Sequence, residues 1–428
     1  MNPLQRHPEL AKRADQRAVR SFNLSAVARH ISEHGSRSRA QIAAGTGLNK
    51  TTVSSLVAEL MARGVVRETG LDADGSVGRP AQVLELDGER IAALGLEINV
   101  DYMTVCVCDL RGRVRHHAVV GHDNRENSPE FVIDELARLA REALEHCNDI
   151  GLTIVGAGVC VPGLIDSRTS VLAYAPNLGW RGLALGDRMR EALDDPPFPI
   201  RVDNDGNLAA LGELESGALR GISHGFMLYG GIGVGGAVII DGALFRGADG
   251  FAGEIGHIPI RPNDGERCSC GARGCLETLV GQEAIARMVG IQGARSEVAT
   301  PAVMLAERLR AGDRAALRAL DDVAQVLGIG IAAAVNLVNP QRVVLGGTFE
   351  ALAEWLLPGV AASLADRIPG SAPSVELSAA ELGEAATVRG GAALVLHELL
   401  ADPSQGPWLE TAGTSRRRPV SPAVRAGR

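Results

Sequence analysis

The sequence predicts an α/β protein in two parts, a small basic helical head and a larger acidic body of two α/β lobes. Three observations carry that expectation. A length of 428 residues suits two or three domains at about 150 residues each. Charge divides along the chain, since residues 1–70 hold 11 Lys and Arg against 5 Asp and Glu while the whole chain holds 43 against 51. Texture divides with it: apolar residues recur at helical spacing near the start, and strands alternate with helices beyond about Arg90. A hydrophobic content of 46% with 22% charged residues is that of an ordinary globular chain and excludes disorder for most of its length. The uncharged run Gly151 to Ile165 is shorter than the roughly 20 apolar residues of a spanning helix, and residues 1–20 show no apolar signal core. A cytoplasmic protein without membrane contact is expected. A basic head on an acidic body points to a polyanionic partner.

In the head, Leu24, Val27, Ala28 and Ile31 follow the i, i+3, i+4, i+7 spacing of a helix that stops near Gly35. Ser38-Arg39-Ala40-Gln41 has capping-box spacing, and the short helix it opens ends in Gly45-Thr46-Gly47. Asn49 is the expected N-cap of a third helix with an apolar stripe of Val53, Leu56, Val57 and Leu60. Three helices with a tight Gly turn before the third form the helix-turn-helix pattern. Val65 to Glu68 and Val83 to Leu86 then read as two short strands around a polar loop, a wing with Arg79 near its tip. Small helical units also serve as protein-interaction modules; the wing and the charge favour double-stranded DNA. Lys50, Thr51, Thr52 and Ser55 on the polar face of the third helix would meet base edges or phosphates in the major groove, with Arg39 as a further DNA contact. Arg79 would enter a minor groove or meet a phosphate.

Beyond Arg90, Leu94 to Glu97, Thr104 to Asp109 and Arg113 to Val120 read as three strands, Ser128-Pro129-Glu130 caps a helix, and Thr153 to Val159 is a buried strand. Strand, strand, strand, helix, strand is how the two-lobed ATPase fold of actin, hexokinase and the sugar kinases begins, a ribonuclease H-like arrangement. A second lobe is expected from about Ile200, with strands near Phe226 to Leu228, Val234 to Ile240 and Arg342 to Leu345. Seven Cys are too few for a disulfide scaffold, and three of them crowd into Cys268, Cys270 and Cys275. With His257 they make a Cys3His set, the preference of a structural tetrahedral zinc, carried on an inserted loop.

The motifs Gly253-Glu254-Ile255-Gly256-His257 and Cys268-Ser269-Cys270-Gly271-Ala272-Arg273-Gly274-Cys275 resemble those of the ROK family, which includes repressors and sugar kinases. The resemblance runs from the winged helix to Gly390-Gly391-Ala392, and the head places the chain with the regulators of that family. It implies that Asn204 and Asp205, in Val202-Asp203-Asn204-Asp205, stand where the kinases have an Asn-Asp pair whose Asp is the general base. It likewise implies sugar contacts from Asn177, Glu254, His257 and Glu277, with His257 holding zinc through one ring nitrogen and a sugar hydroxyl through the other. Expected bounds are 1–20 for a basic arm, 21–88 for the winged helix-turn-helix, 90–400 for a two-lobed sugar-binding domain and 402–428 for a disordered tail.

Two departures from the kinases bear on function. Their Asp-x-Gly-Gly-Thr phosphate loop is replaced by Glu97-Ile98-Asn99-Val100-Asp101, and Ile232 stands at the Thr of the second loop, Gly231 to Gly236. A carboxylate about 4 Å from a phosphate repels it by roughly 1 kcal/mol in water and about 4 at an intermediate dielectric, so ATP is disfavoured. The expectation is therefore a non-enzymatic, sugar-responsive transcriptional regulator, a repressor released from its operator by a sugar and paired as a homodimer or homotetramer. The alternative is an ATP-dependent sugar kinase with a DNA-binding head. A neutral hexose, a pentose, an amino sugar and a sugar phosphate are all open as effector.

Overall fold

The structure is a computed structural model and describes residues 16–71, 82–248, 250–290, 301–369 and 375–404. The basic arm before Gln16, the wing tip with Arg79, and the tail beyond Ser404 lie outside the described residues.

Local chemistry sets the head. Its first helix runs Gln16–His34, beginning inside the expected arm, and buries Leu24, Val27, Ala28 and Ile31 as its spacing requires. Ser38 and Gln41 close the capping box in both directions at the start of helix Arg39–Thr46, and Gly47 ends it in the left-handed region at φ 71°. Asn49 accepts from the Thr52 amide and opens helix Lys50–Ala62. The wing strands Val66–Leu71 and Gln82–Leu86 pair antiparallel. Arg37 and Ser38 add a third strand against Leu84 and Val83 that the sequence does not announce, because two residues carry no period.

The body repeats one topology twice. In the first sheet, strands Ile91–Ile98, Tyr102–Asp109 and Val114–Gly121 form a meander, and Thr153–Cys160 and then Ile200–Asp203 add in parallel on its other side. In the second, Gly225–Gly230, Val234–Ile240 and Ala243–Phe245 form the meander, and Arg342–Gly347 and Glu376–Ala379 add in parallel. Helix Pro129–Asp149, capped by Ser128, covers the first sheet with Val132, Leu136, Ala140 and Ala143. Helices Arg314–Val338 and Ala353–Ala365 cover the second. By length and apolarity Arg314–Val338 would suffice to cross a membrane, yet Leu320, Leu327 and Ile331 on its inner face are core of this lobe.

One expectation is corrected. The second lobe does not start near Ile200: Ile200 and Val202 belong to the first core, and the second sheet begins at Gly225. A parallel edge strand is an apolar run like any other, so its sheet is set by tertiary pairing that no local pattern encodes.

Helix Asp205–Ser216 passes from the first sheet towards the second, and the last helix, Ala386–Ala401, returns to lie against it and against the first sheet. Close approach there depends on missing side chains; a Cβ at Gly95 would collide with the Val388 carbonyl. The far end of the last helix joins the head. Leu396, Leu399 and Leu400 share one buried cluster with Leu24, Ile31 and Leu60, the Ser25 hydroxyl donates to the Leu400 carbonyl at 3.0 Å, and the Ser21 hydroxyl to Asp402 at 2.6 Å. Arg111, from the first lobe, pairs at 2.6 Å with Glu85 of the wing.

Candidate functional site

All six residues assigned to a sugar meet in one cleft. Asn204 ends the first-sheet strand and caps helix Asp205–Ser216 by accepting from the Asn207 amide at 2.8 Å, which turns Asp205 at the first helical position into the cavity. Asp203, 2% exposed, anchors this corner through the Asn204 amide and an ion pair with Arg246 at 2.5 Å. Asn177 sits in the turn between strands Val171–Ala175 and Trp180–Leu183 of a small antiparallel sheet, where Gly179 takes φ +73°. Gly253 lies so close to the Gly236 carbonyl that a Cβ would collide with it, and this approach brings Glu254 and His257 to the cleft wall. Glu277, in helix Leu276–Val280, accepts from the Val234 amide at 3.1 Å and so ties the glycine-rich hairpin Gly231 to Gly233 to the cysteine loop. The cleft stands open to solvent, and its void amounts to about 860 Å³ when the open space at the mouth is counted.

Its electrostatics are those of crowded carboxylates. Burial pushes Asp205 up to about 6, and Glu277 adds to the shift. Burial, then Asp205 and Glu277, push Glu254 up to about 7. Such groups accept hydrogen bonds from hydroxyls without an excess of full charge.

The cysteine loop fits a metal. His257 and Cys268, Cys270 and Cys275 place one ligand atom each within 4.8 Å of one another. Metal–sulfur bonds near 2.3 Å and metal–nitrogen bonds near 2.0 Å in a tetrahedron imply edges of about 3.5–3.8 Å; Cys270 and Cys275 are 3.7 Å apart and Cys268 lies 3.6 Å from His257 Nδ1. With Nδ1 among the thiols, the other nitrogen, Nε2, lies 3.9 Å from the Glu254 carboxylate.

At the altered phosphate loop, the Glu97 carboxylate is 1% exposed and accepts from Thr387 Oγ1 at 2.6 Å, Tyr102 Oη at 2.9 Å and Asn99 Nδ2 at 3.2 Å. Asn99 Oδ1 takes the Val100 amide at 2.7 Å, and Asn99 also donates to Tyr102 Oη. Burial raises Glu97 to about 7. Asp101 is exposed and lies off the cleft wall, so side chains of Asn99 and Val100, rather than a charge on Asp101, fill this end. Tyr174, Leu164 and Ser269 also line the cleft without having been singled out. Tyr174, one of three Tyr in the chain and three residues before Asn177, was the available signal.

On the head, Lys50, Thr51 and Ser55 are exposed and Thr52 half-exposed along the third helix. Arg20 lies over that helix, 3.4 Å from Ser55 and paired with Glu59. Arg39 does not stand free: it pairs with Glu68 of the wing at 2.7 Å.

A helix-turn-helix fused to a cleft of sugar-kinase topology defines a ligand-responsive DNA-binding regulator. The chain belongs to the ROK family, which residues 93–398 match, while residues 25–70 match the IclR helix-turn-helix domain. It is 32% identical to the xylose repressor of Bacillus spizizenii, over 90% of this chain and 98% of that one. A ROK family transcriptional regulator described as a homolog of the Escherichia coli MLC protein has the same fold, with a TM-score of 0.75 over 92% of this chain and 98% of that one at 24% identity. A ROK family glucokinase from Streptomyces griseus, in complex with glucose and AMPPNP, covers 71% of this chain and 98% of its own at 27% identity and a TM-score of 0.61.

Proposed function

We propose that this chain is a sugar-responsive transcriptional repressor that leaves its operator when a monosaccharide fills the cleft. The observation that carries the reading is the continuity of one helix: Ala386–Ala401 touches the cleft side through Thr387 and Glu97 and the DNA-binding head through Leu399 and Leu400. Sugar held by Asn177, Asn204, Asp205, Glu254, His257 and Glu277 favours one closure of the lobes, and the helix carries that closure to the head. A ligand shifts such an equilibrium only by its differential affinity for the two closures; a coupling of about 1–3 kcal/mol changes DNA affinity about 5–150-fold. The metal is zinc, held by His257, Cys268, Cys270 and Cys275, and it fixes the His257 ring towards the sugar. The divisions at 21–88 and 90–400 and a cytoplasmic homodimer or homotetramer complete the reading, since two heads must meet half-sites set by the helical repeat.

The chain is not an enzyme in this reading, because the side chain of Asn99 takes the Val100 amide that a phosphate would need. Two measurements test it. Fluorescence anisotropy on DNA from the chain's own upstream region, at fixed salt, should show tight binding that one sugar weakens; binding no tighter than the salt-dependent nonspecific level overturns the repressor. A coupled ATP assay over the same sugars should show no turnover, and a rate above about 1 s⁻¹, within the usual enzyme range, restores the kinase.

A further inference from the structure

We infer that the chain beyond Ser404 lies on the head, with Trp408 and Leu409 seated on Val19 and Phe22 of the first helix and Arg416, Arg417 and Arg418 against the backbone of bound DNA. The second half rests on the reading of the head as DNA-binding; the first half does not.

Helix Gln16–His34 turns Leu24, Val27, Ala28 and Ile31 inward and leaves Val19 46% and Phe22 75% exposed. These two are the only exposed large apolar side chains among the described residues of the head, and at a spacing of three they are neighbours on one helix face. An apolar side chain in water does not by itself call for a partner. The place where the described chain leaves off supplies one. Asp402 accepts from the Ser21 hydroxyl at 2.6 Å and from the Ser404 amide at 3.1 Å, Ser404 Oγ lies 3.1 Å from Ser21 Oγ, and the Ser25 hydroxyl donates to the Leu400 carbonyl. Ser404 is thereby fixed on the turn of helix that carries Val19 and Phe22. Trp408 follows four residues later, a reach of up to about 14 Å, against about 5.4 Å for one helical turn. It is the one aromatic residue of 405–428, and Leu409 stands beside it. Pairing Trp408 with Phe22 takes both rings out of water together.

The same segment is basic, with Arg416, Arg417, Arg418, Arg425 and Arg428 against the single acid Glu410. It starts beside the surface that would meet DNA, because Arg20, next to Ser21, lies 3.4 Å from Ser55 of the recognition helix Lys50–Ala62. From a seated Trp408, Arg416 is eight residues on, a reach of up to about 28 Å, which exceeds the roughly 20 Å length of that helix. Guanidinium groups pair with phosphate oxygens in a bidentate fork, and such contacts add affinity without choosing sequence.

The seat is tested by tryptophan fluorescence of the full chain without DNA. Trp180 is buried and Trp355 half-buried, so the difference between the chain and its Trp408→Phe variant isolates Trp408. Its emission should lie at shorter wavelength than that of a solvated indole and resist quenching by acrylamide. Phe22 belongs to none of the buried clusters, so Phe22→Ala should restore quenching without moving the melt. Trp408 that is quenched as freely in the unaltered chain as in Phe22→Ala overturns the seat, as does shielding that Phe22→Ala leaves intact. Shielding that fades on dilution assigns the surface to a second copy and overturns it too. The arm is tested by anisotropy on a duplex of arbitrary sequence. Replacing Arg416, Arg417 and Arg418 together by Gln should lower the salt slope by about two to three units, at about 0.9 for each phosphate released; an unchanged slope overturns the arm. If the unaltered chain binds no duplex, the DNA-binding head is overturned and the arm with it, while the fluorescence still decides the seat.

Discussion

Glu97 is a buried carboxylate with three donors and no cation. Burial raises it from 4.5 to about 7, so the folded chain holds this proton more tightly than the unfolded chain. Its contribution to stability is complete below about pH 4.5 and is lost as pH rises through 7, a change of up to about 3 kcal/mol. Asp205 and Glu254 are raised as well and act with the same sign. Thermal melts of Glu97→Gln between pH 5 and 8 should therefore fall less steeply with pH than those of the unaltered chain; parallel slopes would show that Glu97 is ionised throughout. In the Cys3His group, Cys270 is the exposed one of the four potential donors. Cys270→Ser should lose bound zinc by elemental analysis and blunt the sugar response, because three donors no longer close the tetrahedron and His257 loses its fixed ring. A full response without metal would show that the ion is not needed for sensing.

Helices carry both ends of the mechanism. Lys50 lies exposed on the first turn of the recognition helix, and a lysine that meets a phosphate releases about one counterion; Lys50→Ala should lower the salt slope of DNA binding by up to about one unit. An unchanged slope would take Lys50 off the DNA. In the last helix, Thr387→Val removes the donor to Glu97 without changing shape, so calorimetric sugar affinity and sugar-free DNA affinity should stay within about threefold while sugar-driven release drops below the usual fivefold lower bound of coupling. Release as large as before would place the coupling outside this helix. The caps at Ser38, Asn49 and Ser128 were legible in the sequence because a cap is chemistry between residues two or three apart. The six cleft residues and the Cys3His set were legible through motifs. The lobe that takes Ile200–Asp203, the latch of Glu97 with Thr387, and the pairing of Arg39 with Glu68 were not, because each joins residues distant in the chain whose local patterns are satisfied either way.

At the scale of the whole molecule, the head is not a bead on a tether. Its core is continuous with the last helix and with a few residues of the first sheet, in one cluster where Leu24, Val27 and Leu60 join Ala93, Val155, Leu396, Leu399 and Leu400. Two hydroxyl bonds and the Arg111–Glu85 pair reinforce the joint. A lobe closure therefore moves the head with the first lobe, and in a paired assembly it changes the separation of two heads that must match half-sites 34–36 Å apart, about one helical turn of DNA. The same joint makes an energetic claim. Burying a leucine fully contributes about 1.5–3 kcal/mol, so a head deprived of these three leucines loses several kcal/mol, partly offset by relaxation of the exposed surface. For a unit of 60–100 residues each kcal/mol shifts the melting temperature by about 4–8 °C. Residues 1–88 expressed alone should melt at least about 10 °C below the head within the full chain, as read by hydrogen exchange at Val53 and Leu56 in the recognition helix. Equal melting in the two settings would mean that the head folds by itself, and that sugar must act on it through the spacing of free modules rather than through rigid rotation with the first lobe.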